Sequence, residues 1–136
     1  AAIGLKQLER YQELLQIRRN VIERYDAAFL PLGLKPLVHF GKDFASSGHL
    51  YLLRIPGYDE EKRNALIMKM AEKGIATNVH YKPLPMLTAY KNLGFRMEDY
   101  PNAFAQYQTE ISLPLHTKLT NEDIDYVIDC LIKAIK

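Results

Sequence analysis

The stretch from Gly74 to Pro85 constrains the fold most, because it holds a helix end, a short strand and a rigid loop in close succession. Gly74 follows a lysine and precedes an isoleucine, which is typical of a helix that ends in the left-handed conformation. The β-branched residues that follow predict a strand from Ile75 to Tyr81. Two prolines just beyond remove backbone donors and stiffen the chain. His80 and Tyr81 are therefore expected at a strand-to-loop exit, where scaffolds commonly place functional groups.

A length of 136 residues with 48% hydrophobic and 25% charged residues indicates one globular domain. No apolar run approaches the ~20 residues that span a bilayer, so no membrane segment is expected. The formal charge of +2 is too small and too scattered to favour nucleic acid. The single cysteine, Cys130, lies among aliphatic residues and fits a buried thiol in a reducing compartment. We therefore expect a cytoplasmic protein.

Residues 1–30 predict one long amphipathic helix, because apolar side chains recur at spacings of three, four and seven. A second apolar set that includes Ile3, Leu14 and Val21 makes the stripe wide enough to face more than one neighbour. We expect part of that face to stay uncovered by the chain's own domain. The segment that follows, to Gly48, is expected to be irregular, with a short strand at Leu37 to His39.

A strand is predicted from His49 to Ile55, closed by a Pro-Gly pair. Asp59 then caps a helix that runs to Lys73. The buried face of this helix is expected to comprise Leu66, Ile67, Met70 and Ala71. Strand, helix and strand in this order suit a right-handed crossover, so the two strands can be parallel members of one sheet with the helix packed over it.

The last third predicts short helices at Met86 to Leu93 and Pro101 to Thr109, and a strand at Glu110 to His116. Thr120 with an aspartate three residues later forms a capping-box pattern before a long aliphatic stripe, so a terminal helix is expected there. Together these elements predict an α/β fold of the α+β sandwich kind, with a long first helix and helices packed on a small mixed sheet of about three strands.

Few residues offer chemistry by spacing alone. No two of the four histidines stand four residues apart on a helix, and one cysteine gives no partner, so no metal site is predicted. No phosphate-binding glycine loop or glycine-flanked nucleophilic serine occurs. Glu60 and Glu61 are explained by the positive start of their helix. Arg18 could meet a phosphorylated ligand or simply face water, and His80 with Tyr81 fits a functional group and a solvated strand end equally well.

A set of short motifs, in order along the whole chain, resembles the C-terminal part of the nucleotide-sugar aminotransferases of the DegT/DnrJ type. The motifs are Ala1 to Arg10 with Arg18-Arg19, His49-Leu50-Tyr51 with Arg54-Ile55-Pro56, Lys73-Gly74-Ile75, Val79-His80-Tyr81-Lys82-Pro83-Leu84, Leu93-Gly94 with Pro101, and Leu113-Pro114-Leu115-His116 with Leu119-Thr120. Each is weak alone, and their shared order makes the resemblance specific.

The resemblance implies a fold-type-I aminotransferase dependent on pyridoxal 5'-phosphate, with residues 1–136 as its small C-terminal domain, 1–30 as a linking helix and 31–136 as the sheet-and-helix part. Such enzymes are homodimers that transfer an amino group, usually from glutamate, to a keto group on a nucleotide-linked sugar through a lysine Schiff base. That lysine and the cofactor contacts are expected in a large domain before Ala1. No residue here is therefore given a catalytic, cofactor-binding or metal-binding role, and the chain alone is expected to be inactive.

The resemblance also implies that this region closes over the substrate, with His80, Tyr81 and Arg18 as substrate-binding residues. The product would be an amino sugar for cell-surface polysaccharide or lipopolysaccharide biosynthesis. Two other readings of the sequence remain open at this point. One is a free-standing domain that binds a nucleotide sugar without catalysis, and the other is a structural module whose long helix dimerises.

Overall fold

The computed structural model describes all 136 residues and contains six α-helices and one three-stranded sheet. The helices are α1 (Ala2–Glu9), α2 (Tyr11–Phe29), α3 (Glu60–Glu72), α4 (Thr88–Asn92), α5 (Pro101–Thr109) and α6 (Asn121–Ile135), and the strands are β1 (Lys35–Pro36), β2 (Tyr51–Arg54) and β3 (Glu110–Leu113). The predicted sandwich of helices on a small sheet is confirmed. No helix has both the length and the apolar character needed to cross a bilayer.

The first helix is interrupted at Arg10, where φ is −102° and ψ is 3°. The prediction of one unbroken helix is therefore wrong at this residue. Helix α1 buries none of its side chains, so no packing holds it in line with α2. Ile3 is 81% exposed, whereas Val21 on α2 is buried against the core and Leu14 is half-buried. The uncovered apolar strip is thus confined to the N-terminal part of the predicted face.

The sheet has the order β1, β2, β3, and both pairings are antiparallel. Strand β2 lies in the centre, with Tyr51 opposite Leu113 and Arg54 opposite Glu110. The predicted mixed sheet is therefore wrong, because both pairings among the three strands are antiparallel. Both edges of β2 are already occupied by β1 and β3, so no third strand can pair with it.

The strand predicted at Ile75 to Tyr81 is also absent, and only Asn78 pairs, in a single antiparallel bridge with Ser112 on the outer edge of β3. This segment runs in the same direction as β2, but β3 lies between them. The helix end that starts it is confirmed: Gly74 has φ of +72° and the Ile75 amide donates to the Met70 carbonyl.

The short strand predicted at Leu37 to His39 lies two residues earlier, at Lys35–Pro36. A proline is tolerated there because β1 is an edge strand and its missing donor faces away from β2. The Leu37 amide still donates to the Leu52 carbonyl at 2.9 Å. The pairing between β1 and β2 therefore ends at Leu37, where the predicted strand began.

The two faces of the sheet differ in chemistry. Tyr51 and Leu53 of β2 point into the main core, which α2, α3 and α6 cover. Strand β3 is buried on both faces: Ile111 and Leu113 join that core, while Glu110 and Ser112 lie on the opposite face. A polar pair is thus enclosed on the side of the sheet away from the core.

The remaining local predictions have mixed outcomes. The Asp59 side chain accepts from the Lys62 amide, and Thr120 forms the predicted capping box at the start of α6. Helix α5 has the predicted bounds. Ala71, expected on the buried face of α3, is exposed, and the buried residues of this helix are Arg63, Leu66 and Met70. Cys130 is only partly buried.

Candidate functional site

His80 is held against β3 by side-chain and backbone contacts. Its Nδ1 lies 2.6 Å from the Ser112 Oγ, and the Asn78 bridge ties the backbone two residues earlier to the same strand. The His80 and Tyr81 rings meet edge to face with centroids 4.8 Å apart. The imidazole is half-buried, whereas Tyr81 is 73% exposed. The structure therefore fixes the histidine and leaves the tyrosine ring free at the surface.

A cavity of about 290 Å³ opens beside these two rings. Its remaining walls are Pro83, Ala103, Gln106, Tyr107 and Glu110. The loop after the bridge supplies one side, and α5 with the start of β3 supplies the other. This cavity is smaller than most pockets that enclose a whole ligand, which are about 300–1,000 Å³, so it fits part of a larger molecule.

Glu110 is the functional candidate that the sequence did not reveal. Glu110 is 2% exposed, and its Oε2 accepts a hydrogen bond from the Gln106 Nε2 at 2.8 Å. Burial raises the pKa of this carboxyl, while the Gln106 hydrogen bond, the backbone amide of His80, and the charges of His80 and Arg54 lower that pKa. Carboxylates are rarely this buried, so its position marks a built polar site.

A second, smaller cavity of about 200 Å³ reaches Glu110 from the β1 side. Lys35 and Arg54 line it together with Gln106 and Glu110. Arg54 stands directly opposite Glu110 in the β2–β3 register. The buried carboxyl is thus flanked by two spaces, one that contains His80 and one that contains two cations.

The wall behind the His80 cavity is stiffened by Arg63, which is 1% exposed. Its Nη1 donates to the Tyr107 carbonyl at 2.9 Å, and its guanidinium lies 4.6 Å from the centre of the Tyr107 ring. The Tyr107 hydroxyl donates to Glu60 Oε1 at 2.7 Å, and burial raises its pKa. Glu60 therefore has a role beyond its place in the first turn of α3.

Arg18 does not join His80 and Tyr81. It projects from α2, where its Nη1 donates to the Ser47 carbonyl at 3.4 Å, while its buried Nε has no partner. Gly48 lies against it: a Cβ added there would be 3.1 Å from the Arg18 Cβ, and the glycine has φ of +61°. The structure thus brings together two of the three predicted site residues and places the third beside the loop before β2.

His39 is a second buried polar residue that the sequence did not single out. It is 2% exposed, it stacks on Tyr51 with centroids 5.9 Å apart, and neither ring nitrogen has a hydrogen-bond partner. Burial lowers its pKa, and the Asp26 charge partly opposes that shift. Its environment is the aromatic core beside β2, so it bears on stability rather than on the His80 cavity.

The largest groove, of about 750 Å³, is separate from the His80 cavity. Met86, Phe95, Met97 and Phe104 give it apolar walls, and Lys91, Arg96 and Glu98 place charges on its lining. It is open, and nothing in its lining resembles the buried polar pair at Glu110 and Ser112. Size alone therefore does not identify it as the reactive site.

The described residues do not form a site for pyridoxal phosphate or for a metal. Every lysine is exposed, whereas a lysine that bonds covalently to a carbonyl cofactor is activated by a desolvated or charged pocket. No three His, Cys, Asp or Glu side chains converge. What the arrangement offers is recognition: an imidazole, an exposed aromatic ring and a buried carboxyl around one small cavity.

Comparison with known proteins places this geometry in context. The model of the DegT/DnrJ/EryC1/StrS aminotransferase family matches residues 1–132. The spore coat polysaccharide biosynthesis protein SpsC of Bacillus subtilis is 33% identical over 144 residues, which cover 100% of this chain and 36% of that protein.

Solved structures of two proteins extend the likeness to the fold. Spr1654 of Streptococcus pneumoniae, assigned as a sugar aminotransferase, has a TM-score of 0.94 and 51% identity, covering 96% of this chain and 33% of its own, with structures of PLP and PMP forms. Helicobacter pylori PseC, an aminotransferase involved in the biosynthesis of pseudoaminic acid, has a TM-score of 0.88 and 30% identity, covering 98% of this chain and 36% of its own. The chain spans about a third of the length of these relatives.

Proposed function

Since the chain belongs to the DegT/DnrJ/EryC1/StrS aminotransferase family, we propose that it closes the substrate site of a pyridoxal-phosphate-dependent aminotransferase whose substrate is a keto sugar linked to a nucleotide. Glutamate is the proposed amino donor, and amino-sugar, cell-surface polysaccharide or lipopolysaccharide biosynthesis is the proposed setting. The observation that carries this proposal is the likeness to Spr1654, at 51% identity over 96% of the chain.

The cofactor is proposed to be held outside this chain. Pyridoxal phosphate would serve as the carrier of the amino group between donor and sugar. The exposed lysines do not fit a covalent attachment site, so residues 1–136 contribute no step on the cofactor itself. Their proposed work is to bind the sugar, orient it and exclude water around it.

His80 and Tyr81 are the proposed sugar contacts. A half-buried imidazole can exchange a hydrogen bond with a hydroxyl, and an exposed phenol ring can stack on a sugar or base and hydrogen-bond through its hydroxyl. Arg18 is proposed to meet the diphosphate, since a guanidinium binds phosphate oxygens in pairs and only its Nη1 has a hydrogen-bond partner within the chain, at 3.4 Å. Because it does not line the His80 cavity, it would contact a different part of the ligand.

We further propose that residues 1–136 form a small domain packed on a larger one in a cytoplasmic homodimer. Helix α1 supports this arrangement, because Ile3, Leu5 and Leu8 are 81%, 63% and 67% exposed. Apolar side chains at this density on one short helix suit a covered surface. Residues 1–30 would form the linker, and the larger domain and the second subunit would share that covering.

The test separates the two halves of the reaction in the full-length protein. Conversion of the PLP form to the PMP form by glutamate is followed by absorbance, and reoxidation by a keto nucleotide sugar is followed in a second, single-turnover step. His80→Ala should slow the sugar step about tenfold and leave the glutamate step within about twofold, because loss of one polar contact costs up to about 1.5 kcal/mol, or up to about 3 kcal/mol with a charged partner.

His116→Ala is the matched control, because His116 is exposed and does not line the His80 cavity. It should leave both steps within about twofold of wild type. If His80→Ala impairs the glutamate step as severely as the sugar step, the residue supports the cofactor or the fold and the substrate-closing role is refuted.

A further inference from the structure

The hydrogen-bond geometry behind His80 determines where its ring carries hydrogen. The Ser112 Oγ lies 2.6 Å from the His80 Nδ1 and 3.0 Å from the Asn78 carbonyl oxygen. A hydroxyl has one hydrogen to donate, and a carbonyl can only accept. If the serine donated to the imidazole, its oxygen would face the carbonyl oxygen with no hydrogen between them.

The arrangement that satisfies all three groups has one direction. Ser112 donates to the Asn78 carbonyl, and the His80 Nδ1–H donates to the Ser112 oxygen. The carbonyl can take this bond beside the one from the Ser112 amide at 2.8 Å, because it has two lone pairs. The neutral ring then has its unprotonated nitrogen at Nε2, which has no partner within the chain.

We propose that Ser112 is a positioning residue that holds the neutral His80 ring with hydrogen on Nδ1, so that Nε2 accepts a hydrogen bond from a hydroxyl of the bound sugar. The identity of the ligand rests on the proposed function, but the assignment of hydrogen to the His80 Nδ1 does not. Ser112 is 4% exposed and therefore acts only through His80. The buried carboxyl of Glu110, on the same face of β3, lines the same cavity beside the imidazole.

Specificity follows from this direction. A site that offers an acceptor selects for a donor, so an equatorial or axial hydroxyl at Nε2 would be accepted while a carbonyl or an ether oxygen would be rejected. The keto group that reacts is therefore placed away from His80, and a hydroxyl of the sugar is placed against it.

The first measurement reads the ring directly. Full-length protein is labelled with ¹⁵N at its histidine rings, and His80→Gln identifies the His80 signals by their loss from the spectrum. At a pH where the ring is neutral, wild type should show a protonated Nδ1 and a bare Nε2, and Ser112→Ala should show a mixture of both forms. Hydrogen on Nε2 in the wild type overturns the proposal.

The second measurement is binding of UDP-N-acetylglucosamine and dTDP-glucose to the full-length PLP form by calorimetry. Ser112→Ala should weaken binding about threefold to tenfold, as expected for one neutral hydrogen bond that is no longer favoured. His80→Gln, whose amide oxygen reaches the place of Nε2, should bind more tightly than His80→Asn, which reaches only to the place of Nδ1. Thr88→Ala, which removes an exposed hydroxyl on α4, should bind as wild type.

The outcomes separate the two hypotheses. If both nucleotide sugars bind wild type but Ser112→Ala changes neither the ring nor the affinity, or if His80→Gln and His80→Asn lose affinity equally, the positioning role of Ser112 is refuted and the proposed function stands. If neither sugar binds wild type, the substrate role of Nε2 is overturned together with the proposed function, even with hydrogen on Nδ1.

Discussion

Replacement of Arg63 by methionine should lower the free energy of unfolding by about 2–4 kcal/mol, even though it removes a buried charge. Arg63 closes the C-terminal end of α5, a helix with no basic residue in its last turn. Its Nη1 donates to the Tyr107 carbonyl at 2.9 Å and lies 3.4 Å from the Glu110 carbonyl. These carbonyls lack partners in the helix because a helix end leaves its last four acceptors free. Methionine keeps the buried stem, so the change isolates the guanidinium.

The magnitude combines three effects. An orphaned buried carbonyl at Tyr107 costs about 1–3 kcal/mol. Loss of the guanidinium from the Tyr107 ring, 4.6 Å away, costs about 1–2 kcal/mol in this dry setting. The contact with Glu60, at 3.8 Å with that side chain 42% exposed, adds little. Against these losses stands the relief of not desolvating a charge, which favours methionine.

Urea unfolding followed by far-UV circular dichroism measures the difference, provided that the slope against urea stays constant. Lys62→Met is the matched control, since that side chain is 61% exposed, and it should change stability by less than about 0.5 kcal/mol. If Arg63→Met equals or exceeds wild type in stability, desolvation of the guanidinium outweighs its hydrogen bonds and the reasoning is refuted.

Two further predictions concern stability and pH. Thr120→Ala should lower the free energy of unfolding by about 1 kcal/mol in the same urea assay, because it removes the side-chain hydroxyl of the α6 capping box. Thr120→Ser keeps the hydroxyl and should be as stable as wild type. Equal losses in the two variants would show that the hydroxyl is not the cause. Burial holds the pKa of His39 below its ordinary value, so the folded state binds fewer protons than the unfolded one. The free energy of unfolding should therefore be highest above about pH 6.5 and should fall as the pH drops from that value towards the pKa of the folded state. His39→Phe should flatten this part of the pH profile. An unchanged profile would refute the role of His39.

Local signals predicted the elements whose causes are local. The helix end at Gly74 and the capping box at Thr120 depend on residues within one turn, and both are present in the structure. The aliphatic stripe of α6 likewise marks its buried face, with Ile124, Val127 and Leu131 in the core. These are the cases in which the chain needs no distant partner to specify the conformation.

Features that depend on distant partners were missed. Ile75 to Tyr81 has strand-forming residues, yet only one bridge forms, because pairing depends on what β3 leaves available at its edge. The burial of Arg63 and Glu110 could not be predicted, since each is compensated by groups far along the chain, such as the Tyr107 carbonyl for Arg63. The pairing of His80 with Ser112 has the same character, and with it the detail of the candidate site.

The antiparallel order of the sheet also bears on how the chain folds as it is synthesised. Strand β2 can pair with the two-residue β1 early, but its main partner β3 follows only after roughly sixty more residues have been made. Until then Tyr51 and Leu53 have only the cover that α2 and α3 provide, and the last core helix, α6, comes later still. Contacts at this separation close slowly. The core of this domain can therefore be completed only near the end of its own translation, after β3 and α6 have been made.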